Sequence, residues 1–140
     1  YKFTNYTSGE QNWYNWMLLV SNGKVTGESE YIEYALIRAD NYGWLNGIND
    51  DEHRPVRDCN YNWGTFTEDM KGATVEIRMN RQGNTASVRA DVTTVGGAKY
   101  WYVCELSNLP DSGIIGTYLS VERAYLEIDT EASYVKGNNN

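Results

Sequence analysis

The sequence predicts an all-β domain, an antiparallel two-sheet β-sandwich of jelly-roll type. Three observations predict it: apolar and polar residues alternate in short runs, Gly and Asn turns separate the runs, and few segments hold helical spacing for long. About eight short strands in 140 residues suit a sandwich better than a barrel. That length makes one domain, read here as residues 1–135, with 136–140 as a polar tail or linker. The opening "YKFTNY" and the closing "KGNNN" read as cut points in a longer polypeptide.

Each element has a local reason. "NWYNWMLLV" (12–20) reads as a strand ended by "SNGK", and "EYIEYALIRA" (30–39) as a second. The stretch that follows, "DNYGWLNGINDDEH" (40–53), is rich in turn formers and reads as a surface loop, so its Tyr42 and Trp44 need a reason to be there. In "TFTEDMKGA" (65–73), Thr65 or Thr67 caps a single helical turn, with Glu68 and Asp69 at its positive end and Gly72 at its stop. "ATVEIRMN" puts Val75, Ile77 and Met79 on one face and Thr74, Glu76 and Arg78 on the other. The turn "RQGN" leads into "TASVRADVTTV", a hairpin whose outward acids and bases are placed to pair across the strands. "VGGAK" turns into "YWYVCEL", and "TYLSV" and "AYLEIDT" complete the set.

Composition narrows the function. Twelve basic against nineteen acidic residues give a formal net charge of −7, which argues against nucleic acid, whose phosphates are held by Lys and Arg. No apolar run is long enough to span a bilayer, so no membrane partner is expected. The chain carries 12 Tyr and 5 Trp but 2 Phe, a bias toward rings with a polar edge that suit half-wet contact surfaces. Cys59 and Cys104 are the only cysteines; a disulfide and two free thiols both stay open.

Catalytic signatures are sparse. His53, the only histidine, lies in the charged loop "NDDEHRPVRD" and reads as solvated. Nineteen acids always permit some carboxylate pair, and phosphate loops, HExxH and EF-hand spacing are absent. "NDDE" (49–52) and "EIDT" (127–130) hold oxygen ligands of the kind calcium takes, yet they read more simply as a solvated loop and an edge face; no cofactor is expected.

The aromatics remain. Trp16 shares the phase of Leu18 and Val20 and reads as core, while Trp101, in phase with Val103, fits core or contact equally. Trp44 and Trp63 have turn formers for neighbours and read as exposed. Exposed indoles and phenols among Asn, Asp and Arg match a sugar, whose axial C–H face stacks on a ring while its hydroxyl rim needs donors and acceptors. Burying about 50 to 80 Å² of apolar area per sugar contributes roughly 1 to 2 kcal/mol for each ring. Three rings correspond to dissociation constants of roughly 10⁻³ to 10⁻⁵ M, suited to a tethering module.

The order "NWYNWMLLV", "EYALIRADNYGW", "CNYNWGTFTEDMKGATVEI" resembles the noncatalytic carbohydrate-binding modules attached to bacterial cellulases and other plant cell-wall hydrolases, in particular carbohydrate-binding module family 65. The resemblance spans most of the chain. It implies a secreted or cell-surface bacterial module, monomeric and without catalysis, that binds β-glucans including xyloglucan in an aromatic-lined cleft and targets an attached catalytic domain. The positions it points to are Trp44 and Trp63, then Trp13, Tyr42, Trp101 and Tyr61, with Arg38, Asp40, Asn41 and Asn46 supplying hydrogen bonds. Two rival readings are a small β-sandwich glycan-active enzyme using two acids and a protein-interaction or adhesin domain whose aromatics form a hot-spot patch.

Overall fold

A computed structural model describes residues 1–7 and 11–136, and the chain is nearly all β. The strands are β1 (Lys2–Thr7), β2 (Trp16–Ser21), β3 (Glu33–Arg38), β4 (Gly43–Leu45), β5 (Val56–Cys59), β6 (Ala73–Gln82), β7 (Thr85–Thr93), β8 (Lys99–Leu106), β9 (Gly116–Val121) and β10 (Ala124–Ile128). A 3₁₀ turn, Asp51–His53, and one four-residue helix, α1 (Phe66–Asp69), interrupt them. Two antiparallel sheets result, ordered β10-β1-β6-β7-β8-β5 and β4-β3-β2-β9. The two-sheet antiparallel architecture is therefore as the alternation predicts. This order does not establish the jelly-roll connectivity, because β6, β7 and β8 follow one another as a plain meander.

The core lies between the sheets. From the smaller sheet come Trp16, Leu18 and Val20 of β2 with Ala35 and Ile37 of β3; from the larger come Phe3, Val75, Ile77, Val88, Ala90, Tyr102 and Cys104. Trp16 stacks on Tyr102 at 6.1 Å and takes Phe3 edge-on at 5.8 Å, so three rings from three strands lock the sheets together. The hairpin follows the expected phase: Val75, Ile77, Val88 and Ala90 are buried, and outside it Arg78 meets Asp91 across the strands at 3.8 Å.

Several boundaries differ from the sequence reading, for local reasons. The strand expected from residue 12 starts at Trp16, because the Asn12 side-chain oxygen accepts the Tyr14 and Asn15 amides and Asn15 turns at φ 44°. The one expected from residue 30 starts at Glu33, after Glu30 at φ 63°. The loop read over 40–53 contains β4, and the charged stretch after it contains β5. The opening segment forms β1, an inner strand between β6 and β10. Both thiols are free: Cys59 pairs with Tyr102, two residues from Cys104 along β8, so the cysteines are not opposite one another. Burial pushes the Cys104 thiol up to about 12. The tail expected over 136–140 lies, apart from Lys136, outside the described residues.

Candidate functional site

The site sits where the turn after β3 meets β5, the edge strand of the larger sheet. Asp40, Asn41 and Tyr42 form that turn, with Asn41 in left-handed geometry at φ 60°. The Asp40 carboxylate closes it by accepting the Tyr42 amide at 3.1 Å and the Arg38 guanidinium at 2.8 Å. The larger sheet holds the turn from below: Tyr102 Oη donates to the Arg38 carbonyl at 3.2 Å and Arg57 to the Asn41 carbonyl at 2.7 Å. The Cys104 thiol also donates to Asn41 Oδ1 at 3.4 Å.

A second wall comes from the segment leading into α1. Phe66, buried, is the anchor: Trp13 stacks on it at 5.2 Å with an interplanar angle of 23°, and Trp63 packs on it at 5.6 Å. Tyr61 braces Trp63 edge-on at 5.2 Å and is itself wedged against Tyr100 and Tyr102. Burial raises the Tyr61 hydroxyl far above the ordinary phenol value. Trp13 and Trp63 end up 6.5 Å apart at 58°, a pair of indoles tilted toward one another.

Between the walls lies a cleft of about 390 Å³, lined by Trp13, Arg38, Asp40, Tyr42 and Trp63. It continues into a lobe of about 310 Å³ that shares Asp40, Tyr42 and Trp63 and adds Asn41, Arg57, Asp58 and Cys59. Tyr42 is 47% exposed, its ring carrying the Arg57 guanidinium at 4.4 Å and that of Arg54 at 5.4 Å. The Arg38–Asp40 pair is largely buried, and burial raises the Asp40 carboxyl above its ordinary value against the opposing pull of Arg38. The lining thus combines three half-wet rings with fixed polar groups of both signs. Such a lining offers apolar faces for stacking beside fixed hydrogen-bond donors and acceptors.

Of the residues singled out in the sequence, the cleft gathers Trp13, Trp63, Tyr42, Arg38, Asp40 and Asn41, with Tyr61 as support. The others lie elsewhere. Trp44 is half-buried on the outer face of the smaller sheet, opposite Leu36. Trp101 pairs with Asp91 on the larger sheet, under the Arg89 guanidinium at 5.3 Å. Asn46 turns at φ 55° and accepts from Asn108 at 2.8 Å. Phe66, Arg57 and Asp58 are the parts that sequence reasoning missed; the i, i+4 spacing of Phe66 and Met70 in the one helical turn was the available signal for Phe66. His53 pairs with Asp50 at 2.6 Å in the 3₁₀ turn. Among the described residues no three His, Cys, Asp or Glu converge as a metal site, and no helix is long and apolar enough to cross a membrane.

Comparison of the chain with protein-family models, with curated proteins and with solved structures returns no match.

Proposed function

We propose that this protein is a noncatalytic carbohydrate-binding module that holds a neutral β-glucan chain in the cleft between Trp13, Trp63 and Tyr42. The observation that carries the reading is the juxtaposition of these rings, drawn from three separate segments, around the Arg38–Asp40 pair. Phe66 anchors Trp13 and Trp63 from behind, Tyr42 comes from the β3–β4 turn, and the space among the three rings is left without a packing partner of its own. A sugar supplies one: its C–H faces stack on indole and phenol, and its hydroxyls meet Arg38, Asp40 and Asp58. Xyloglucan, mixed-linked glucan and amorphous cellulose are the ligands of choice. On this reading the module is secreted, and it tethers an attached plant cell-wall hydrolase to its substrate.

Asp40 is occupied as an acceptor by Arg38 and by the Tyr42 amide, a positioning task that leaves it poorly suited to donate a proton to a glycosidic oxygen. The test is affinity electrophoresis and calorimetric titration against xyloglucan, barley β-glucan, hydroxyethyl cellulose, mannan and polygalacturonate, with reducing-sugar release followed in parallel. The parent binds the β-glucans and releases no sugar. Trp63→Ala, with an unchanged melting curve, binds them roughly tenfold more weakly, as the loss of one stacking ring requires. A parent that binds none of these polymers overturns the assignment, and one that releases sugar makes the chain an enzyme.

A further inference from the structure

The smaller sheet carries a second aromatic surface, on the face turned away from the core. Trp44, Leu36, Leu19 and Tyr118 stand in one register row, one from each of β4, β3, β2 and β9, across three strand spacings or about 14 Å. The outer face of a two-layer sandwich is ordinarily polar. Here the outward side chains Met17, Leu19 and Leu36 are 9%, 4% and 7% exposed, and what covers them is the rings of Tyr14, Trp44 and Tyr118.

Those rings are tied down at their polar edges. Trp44 Nε1 donates to Glu33 at 2.8 Å, and Tyr31 Oη donates to the other oxygen of the same carboxylate at 3.2 Å. The Tyr31 and Tyr118 hydroxyls share a 2.8 Å hydrogen bond, and the Thr26 amide donates to Tyr118 at 3.3 Å. Glu33 thus sits at the head of a chain of hydrogen bonds that fixes Trp44, Tyr31 and Tyr118 together. Rings whose polar edges are already fixed in this way stack on a ligand without losing rotamer freedom.

This face runs into the cleft. Arg38, which lines the cleft, also stacks on Tyr14 at 3.7 Å and pairs with Met17, two residues or about 7 Å along the strand from the Leu36 and Leu19 row. We propose that the outer face holds the continuation of the same glycan chain. Its ligand is then an internal stretch of polymer that leaves Trp13 and Trp63, passes Arg38 and lies along Trp44 and Tyr118. Glu33 is the positioning residue that sets the ring planes. This inference rests on the cleft reading. A neutral chain is the occupant because its stacking faces repeat along its length, whereas the Glu33 carboxylate and the net charge of −7 turn away an anionic one.

The experiment is calorimetric titration of the full chain with cellobiose, cellotetraose and cellohexaose, for the parent and for Trp44→Ala, Glu33→Ala, Glu33→Gln and Trp63→Ala. In the parent, cellohexaose binds about tenfold more tightly than cellotetraose. Trp44→Ala and Glu33→Ala remove that gain and leave the shorter ligands unchanged, while Glu33→Gln, which keeps an acceptor for the indole N–H, restores it. In ¹H–¹⁵N spectra the Trp44 indole N–H resonance moves in Glu33→Ala and returns toward the parent in Glu33→Gln, a signature that loss of global stability would not produce. Equal weakening at every length in Trp44→Ala, or no effect there while Trp63→Ala abolishes binding, overturns the extended path and leaves the cleft reading standing. A Glu33→Ala chain with the parent's length dependence removes the positioning role, and a parent that binds no oligosaccharide overturns both proposals.

Discussion

Asp40 serves the turn and the cleft at once, and its titration reports the cost. Its side chain is 7% exposed, and burial raises its carboxyl even though the Arg38 guanidinium lies 2.8 Å away. The folded chain therefore holds the Asp40 proton more tightly than the unfolded chain, whose carboxyl titrates at about 3.9. Linkage then fixes the sign: the contribution of Asp40 to stability is largest at low pH, falls as pH rises from the unfolded value through the raised folded value, and is constant above it. Asp40→Asn removes that titration and keeps an acceptor for the Tyr42 amide. In urea denaturation across a pH series, the stability of Asp40→Asn relative to the parent rises through this window and then levels off. A difference that falls with pH would mean that the pull of Arg38 outweighs burial.

At the scale of elements, legibility in the sequence follows how far a strand's pattern depends on its neighbours. The β6–β7 hairpin was legible because each strand is long, alternates cleanly and has its partner next in sequence. β1 was not: Phe3 and Asn5 are buried, but their partners are Val75 and Ala73 on one side and Ile128 and Leu126 on the other. Asn5 looks like a loop residue until its amide is seen donating to Asn15 Oδ1 at 3.2 Å and to the Met70 carbonyl at 3.0 Å. In β2 the run "WMLLVS" is buried in both phases, a sign that both faces are covered, which the sequence reading used only for Trp16, Leu18 and Val20. The cleft was legible as residue types, since six singled-out positions converge there, but local context does not encode that Trp101 lies on the larger sheet and Trp44 further along the outer face of the smaller one. β4 depends on one glycine. Gly43 has φ 152°, and a Cβ there would meet the Leu36 carbonyl oxygen at 1.9 Å. Gly43→Ala is therefore expected to break the β3–β4 pairing that places Trp44, at a cost of more than about 1 kcal/mol in chemical denaturation. An Ala variant as stable as the parent would mean that β4 is not held by this close approach.

For the molecule as a whole, the distribution of charge decides which forces would hold the proposed glucan. The acid surplus gives −7 overall, yet the cleft itself sets Arg38 and Arg57 against Asp40 and Asp58. Opposite charges within one small volume largely offset one another, while the proposed stacking on Trp13 and Trp63 would not depend on ions. Salt shortens the reach of charge to about 3 Å at 1 M and barely touches the burial of apolar area. The dissociation constant for barley β-glucan, titrated from roughly 0.05 to 0.5 M sodium chloride, is accordingly expected to change by less than about twofold. Polygalacturonate, repelled by the surface as a whole, gains nothing at low salt and can only improve as salt screens that repulsion. A β-glucan affinity that fell tenfold over the same range would place the binding energy in ionic contacts, which neutral sugar hydroxyls do not make, and would turn the search toward an acidic or sulfated chain held by Arg57 and Arg54.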